Sequence, residues 1–276
     1  MVGSFFARTF RRKVMAVFVV CYLVAFVACG VGTVSGMGGG IIIKPVIDAM
    51  GVMSVNTITF ISGCTVIGMT CWSVLKTFIK KESVIDVKKT TLLAVGAAVG
   101  GIVGKQLYNM VAGVFEDKNT AGGVQAVLLF FATLFTFVYT LNKDRISAKN
   151  IKNPAAVIVI GLCLGVLGAF LGIGGGPFNV AVLYYFFSMP TKKATQNSLY
   201  IVLFSQCASI AKTVVAGNIP GFDPAILVGM IIFGIVGSEL GRRLNKSINE
   251  RQATYLLEGV MILIMCINLY NIFKFL

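Results

Sequence analysis

The chain has 276 residues, of which 57% are hydrophobic and only 12% charged, with a mean hydropathy of +0.89; a soluble domain carries about a quarter charged residues. The net charge of +14 does not point to nucleic acid, because the basic residues stand at the ends of long apolar runs, where they anchor a helix against anionic lipid. Histidine is absent, which removes the commonest metal ligand and the usual general base; no metal, no cofactor and no enzymatic reaction are expected.

A bilayer core takes about 20 apolar residues per helix. Taken in chain order, the pattern predicts helices over 14–35, 41–51, 55–79, 88–108, 122–142, 154–171, 177–188, 193–215, 223–241 and 252–273. The first run is too long for the apolar core of a signal peptide and merges into a glycine motif, so it is read as a retained helix. Residues 1–13, with Arg8, Arg11, Arg12 and Lys13, form a tail expected in the cytoplasm. Residues 14–142 and 154–276 form two transmembrane repeats joined by a basic linker, 143–153. Further basic clusters stand at Lys80, Lys81, Lys88 and Lys89 and at Arg242, Arg243, Lys246 and Arg251. The fold class is an all-α polytopic bundle, multi-pass in the cell membrane. Cysteines 21, 29, 64, 71, 163, 207 and 266 all lie in apolar runs without a CxxC pair and are read as small packing residues.

The repeat rests on Gly36-Met-Gly-Gly-Gly40 and Gly172-Ile-Gly-Gly-Gly176. Superimposing these motifs without gaps also aligns Thr59 with Thr195, Ser62 with Ser198, Ser73 with Ser209 and Lys76 with Lys212. Shared apolar composition does not produce polar identities, so the halves are related. A second match sets Gly101-Ile-Val-Gly104 beside Gly234-Ile-Val-Gly237, where small residues suit close helix packing.

Adjacent glycines inside a membrane span cost about 1 kcal/mol each as helix against alanine. They permit positive φ and close backbone approach. Unwound backbone at membrane depth is tolerated only where it is buried in protein or lines a polar cavity. A break there leaves free N–H groups at the start of the next helix, a ready site for an anion. Gly36, Gly38, Gly39, Gly40, Gly172, Gly174, Gly175 and Gly176 are therefore the first candidates for solute binding, with Pro177 suited to the first turn of the following helix and Pro45 further into its own. The alternative is that they only let helices pack. Thr59 and Ser62 share a helical face; with Thr195, Asn197 and Ser198 they offer hydrogen bonds without a fixed charge, or else tie neighbouring helices together. Lys44 and Asp48, four apart, are candidates for gating or for pairing with each other. Glu239 and Glu258 are the acids to test for coupling.

With these motifs the chain resembles the TauE/SafE family of sulfite exporter-like permeases. The first element, Gly36 to Pro45, fits that pattern; the second carries Ala181 where the family often has proline. GIVGKQL at 101–107 and GIVGSEL at 234–240 are also similar to the family. The resemblance implies a secondary transporter of small anions, such as sulfite, thiosulfate, sulfonates or related organic acids, working by alternating access. A channel-like anion pore and a non-transporting membrane scaffold are the alternatives. The expected partners are a small anionic solute and the lipid bilayer, with no nucleic acid, and the oligomeric state is open. If the glycine segments are re-entrant, each half has four crossings and the halves run parallel; if they cross, each has five and the halves are inverted. Eight full spans and two short segments are the expected arrangement.

Overall fold

The computed structural model describes residues 2–80, 83–115 and 118–275. The side chains of 2–14, 118–119 and 144 fall outside the description, so anchoring by Arg8, Arg11, Arg12, Lys13 and Lys81 lies outside the described residues. The chain is an all-α membrane bundle. Its helices are α1 (Val2–Ser35), α2 (Gly40–Met50), α3 (Val55–Ile79), α4 (Val87–Val114), α5 (Lys118–Leu141), α6 (Pro154–Phe170), α7 (Gly176–Phe187), α8 (Thr191–Val215), α9 (Pro224–Ser247) and α10 (Glu250–Phe275). Seven of them are long and apolar enough to cross a membrane, and α6 is a shorter apolar helix. The backbone of residues 2–13, expected as a tail, continues α1. α4 and α9 run past their predicted ends, because polar residues such as Asn109 and Arg242 lengthen a helix without breaking it.

Local chemistry sets the boundaries. Ser54, Asp86, Asn153 and Asp223 accept hydrogen bonds from the first-turn amides of Thr57, Lys89, Ala155 and Ala225, which otherwise have no intrahelical partner. Pro154 and Pro224 follow their caps, where a missing N–H costs nothing. Large apolar side chains such as Leu23, Phe135 and Ile262 face outward, while Thr33, Ser62, Thr195, Asn197 and Ser238 are buried inside. The outward-facing apolar side chains suit a lipid surround.

In each half the second helix is the shortest, but the halves interlock and run in opposite directions. α4 packs along α6, and α1 along α9. Glycines set both seams. A Cβ at Gly100 would lie 2.1 Å from the Leu162 carbonyl oxygen, and one at Gly241 would lie 2.1 Å from that of Gly30. The start of α3 meets the end of α8, where Thr57 Oγ1 donates to the Gly221 carbonyl at 3.1 Å and Phe60 stacks on Phe222. The start of α8 meets the end of α3 and the loop after it, through Gln196 and Asn197. α3 and α8 are therefore antiparallel, although they are equivalent in the repeat.

The short helices explain this reversal. α2 starts at the level of Ser62 and Val66 and ends at Gly51, beside Lys274. It returns the chain to the face from which α1 departed. Among the described residues the bundle has seven helices of spanning length, the shorter α6 and the two short helices α2 and α7, and the halves are inverted because α2 and α7 each complete a reversal. One face carries the end of α10 and the 216–223 loop; we call it the C-terminal face. The linker face carries the 143–153 linker, pinned by Lys149 N–H to Tyr185 O at 2.6 Å and Ile151 N–H to Phe186 O at 2.9 Å. Lys80, the segment 83–89 and the basic segments 143–152 and 242–251 all end on that linker face.

Candidate functional site

The two glycine motifs are breaks. Gly36 and Gly38 have φ of 75° and 74°, and Gly172, Gly174, Gly175 and Gly176 have φ of 70°, 77°, 113° and 43°, all in the region that favours glycine. Gly39 keeps helical angles as the residue before α2. Each break also needs space: a Cβ at Gly36 would lie 2.5 Å from Thr195 Cα, and one at Gly172 would lie 3.2 Å from the Thr59 methyl. Thr59 and Thr195 are repeat partners, so each half lays its glycine loop against the threonine of the other half. α2 and α7 start from these loops without side-chain caps, and their first turns meet. A Cβ at Gly176 would lie 2.6 Å from Ile41 Cδ1, and one at Gly40 would lie 3.3 Å from the Ile173 carbonyl oxygen. Pro177 sits in the first turn of α7, and Pro45 lies inside α2.

A cavity of about 920 Å³ opens at the C-terminal face and reaches Thr59, Gly172 and Gln206. Another, of about 630 Å³, opens at the linker face and reaches Thr33 and Thr195. Both have basic linings. Lys105 and Lys212 border the first without an acid; Lys192, Lys193, Arg242 and Lys246 border the second, with Glu250. Fully buried Met37, Ile41 and Ile173 belong to the loops and the first turn between them.

The polar candidates separate by what they touch. Ser62 Oγ is buried and has no hydrogen-bond partner among the described residues; it faces Gly40, whose Cβ would lie 3.3 Å away. Ser198 instead donates to the Gly36 carbonyl at 2.6 Å and so holds the first break in place. Thr59 and Thr195 return their hydroxyls to the carbonyls of Val55 and Thr191 in their own helices. Asn197 takes the second of its two readings, tying neighbouring helices together. Its oxygen accepts from Asp86 N–H and the Thr90 hydroxyl, and its nitrogen donates to the Lys193 carbonyl at 2.7 Å. An amide satisfied in this way braces α8 against the start of α4 and has little left for a solute.

The charged candidates are likewise paired. Lys44 Nζ lies 2.7 Å from Asp48 Oδ2, both side chains buried. Glu239 is held by Arg242 at 2.7 Å, Arg243 at 3.1 Å and the Trp72 indole N–H at 3.1 Å, so it is a structural knot on the linker side. Glu258 is half-buried on α10 and lines neither cavity.

Two residues were missed. Asn179, in the first turn of α7, is 1% exposed, and both its amide atoms lack partners among the described residues. It lies against Gly175, whose Cβ would come 2.6 Å from its nitrogen. Gln206 lines the C-terminal cavity and abuts Gly174. Their repeat partners are Ile43 and Thr70, so a search for shared residues passes over both.

Compared with known proteins, the chain matches the family described as Sulfite exporter TauE/SafE over residues 21–269. It is 24% identical over 280 residues to the probable membrane transporter protein YunE of Bacillus subtilis (strain 168), covering 92% of this chain and 98% of that protein. It is 29% identical over 119 residues to the probable membrane transporter protein YdhB of the same organism, covering 42% of this chain and 46% of that one. No solved structure matches.

Proposed function

This chain belongs to the sulfite exporter TauE/SafE family and is a multi-pass membrane transporter, and on that premise we propose that it carries small oxyanions between two alternately opened cavities, the solute sitting where the glycine loops meet. The observation that carries this reading is that two basic cavities open from opposite faces toward the glycine loops: Thr59 and Gly172 line one, and Thr195, against which Gly36 packs, lines the other. The helix start after each loop presents roughly half a positive charge, although the Gly39 N–H is taken by Met69 Sδ and Pro177 has no N–H to offer. Ser62 and Asn179 add unpaired donors beside them. A sulfite or a sulfonate offers several acceptor oxygens to such donors.

Among transport modes the geometry favours a carrier over a pore. Met37, Ile41 and Ile173 are fully buried at the glycine crossing, and the two cavities have no lining residue in common. Inverted, interlocked halves let one cavity close as its counterpart opens. The absence of a nucleophile–base pair at the crossing fits a carrier better than an enzyme.

The test uses purified protein in liposomes, offered sulfite, thiosulfate, a sulfonate, a carboxylate and sulfate. A carrier gives saturable uptake and counterflow of at least one of them. Asn179→Leu and Ser62→Ala should each raise the half-saturating solute concentration about tenfold, the loss of one hydrogen bond to a charged group, about 1.5 kcal/mol. Linear, unsaturable flux would establish a pore, and no flux of any anion would overturn the reading.

A further inference from the structure

The Lys44–Asp48 pair uses only one carboxylate oxygen. Asp48 Oδ2 takes the ammonium at 2.7 Å, while Asp48 Oδ1 has no partner among the described residues. Two more buried oxygens are in the same condition: Gln125 Oε1 on α5 and Asn271 Oδ1 on α10. All three side chains are at least nine-tenths buried, and all three line one small cavity of about 10 Å³ between α2, α5 and α10.

The orientation of the two amides is fixed. Gln125 Nε2 donates to the Phe170 carbonyl at 2.5 Å, and Asn271 Nδ2 donates to the Pro45 carbonyl at 3.0 Å. Turning either amide over would set oxygen against oxygen. The cavity is therefore bordered by three acceptor oxygens without a partner among the described residues, beside the Lys44 side chain. A water molecule brings two hydrogens for three acceptors, and a proton on Asp48 satisfies one neighbour. A hard cation satisfies all three. Oxygen-only ligands exclude a soft metal, and the described residues hold no cluster of three His, Cys, Asp or Glu. A single carboxylate, already shared with an ammonium, suits one positive charge and not two.

We propose that Asp48, Gln125 and Asn271 form a sodium site, and that the ion enters together with the anion. The coupling rests on the anion reading given above. The Lys44 stem runs from this cavity to the second glycine loop, where a Cβ at Gly172 would lie 3.2 Å from Lys44 Cε. A cation on Asp48 competes with the ammonium for the carboxylate and turns Lys44 toward an anion at Gly172. With both ions bound, the two positive charges balance the carboxylate and the solute. With either alone, the site holds a net buried charge, which is costly at membrane depth.

Binding is tested first, without any anion, as the thermal unfolding midpoint of the full-length protein in nanodiscs under NaCl, KCl or choline chloride at equal ionic strength. Sodium should raise the midpoint saturably, and choline should not. Gln125→Met should weaken the half-saturating sodium concentration tenfold or more. Asp48→Asn strands Lys44 and can fail to fold, so the neutral pair Lys44→Met/Asp48→Asn is the companion variant and should show no sodium shift. Coinciding sodium and choline curves, or a shift unchanged in both variants, would overturn the site. In liposomes, an inward sodium gradient should drive anion accumulation. Intact counterflow that ignores sodium would overturn the coupling and leave the carrier reading standing. A sodium shift without counterflow of any anion would uphold the site and overturn the carrier.

Discussion

At the scale of single residues, positive φ and close contact act separately and can be measured separately. Gly217 has φ of 66° and open space around its missing Cβ, whereas Gly36 has φ of 75° and the Thr195 backbone 2.5 Å away. Alanine at Gly217 should cost only the backbone strain, about 1 kcal/mol, and leave transport unchanged. Alanine at Gly36 should cost more, about 2–3 kcal/mol, and abolish uptake. Thermal melts paired with liposome flux check both. Asn197 and Ser62 form a second contrast. Asn197→Ala removes a buried amide with partners on two helices and should destabilise by about 1–3 kcal/mol. Ser62→Ala removes a hydroxyl with no partner among the described residues, so the melt should stay within about 0.5 kcal/mol while solute affinity falls.

At the scale of elements, the seams between the halves are made by backbone approaching backbone. Glycine at 96, 100 and 104 of α4 interleaves with glycine at 161 and 165 of α6, each missing Cβ pointing at a carbonyl of the facing helix. Gly165→Leu should push these helices apart, lower the melting temperature by several degrees and reduce recovery of monodisperse protein, because backbone cannot move aside as a side chain can. α2 is held differently. Lys274 Nζ donates to the Ala49 carbonyl at 2.8 Å, and it sits at the negative end of the α2 dipole. Lys274→Met should cost about 0.5–1 kcal/mol and loosen α2, read as faster amide hydrogen exchange at 46–51.

At the scale of the molecule, the inverted halves gather positive charge on one face. Lys80, Lys88 and Lys89, the linker lysines and Arg145, Lys192 and Lys193, and the cluster from Arg242 to Arg251 all stand at the linker face, against Lys105, Lys212 and Lys274 toward the other. Among residues with described side chains, this asymmetry predicts, by the positive-inside rule, a cytoplasmic linker face. On a cysteine-free background, a cysteine at Asn218 should react with an impermeant thiol reagent in intact cells, and one at Ser247 only after permeabilisation. The reverse pattern would invert the whole arrangement.

How much was legible follows from what each signal depends on. Membrane character, the positions of the ten helices and the two glycine breaks are properties of neighbouring residues: apolar length, caps and the cost of glycine in a helix. The sequence by itself determined these, and the identities Thr59/Thr195 and Ser62/Ser198 are the ground for expecting a repeat. Direction did not follow, since two short helices can turn back or cross with the same apolar pattern, and only packing of α3 against α8 decided it. Nor did the roles of Asn197, Asn179 and Gln125. Whether a buried amide is spent on a neighbouring backbone or left facing a cavity depends on residues far away in the chain, and hydrogen-bond satisfaction is settled only when those segments meet.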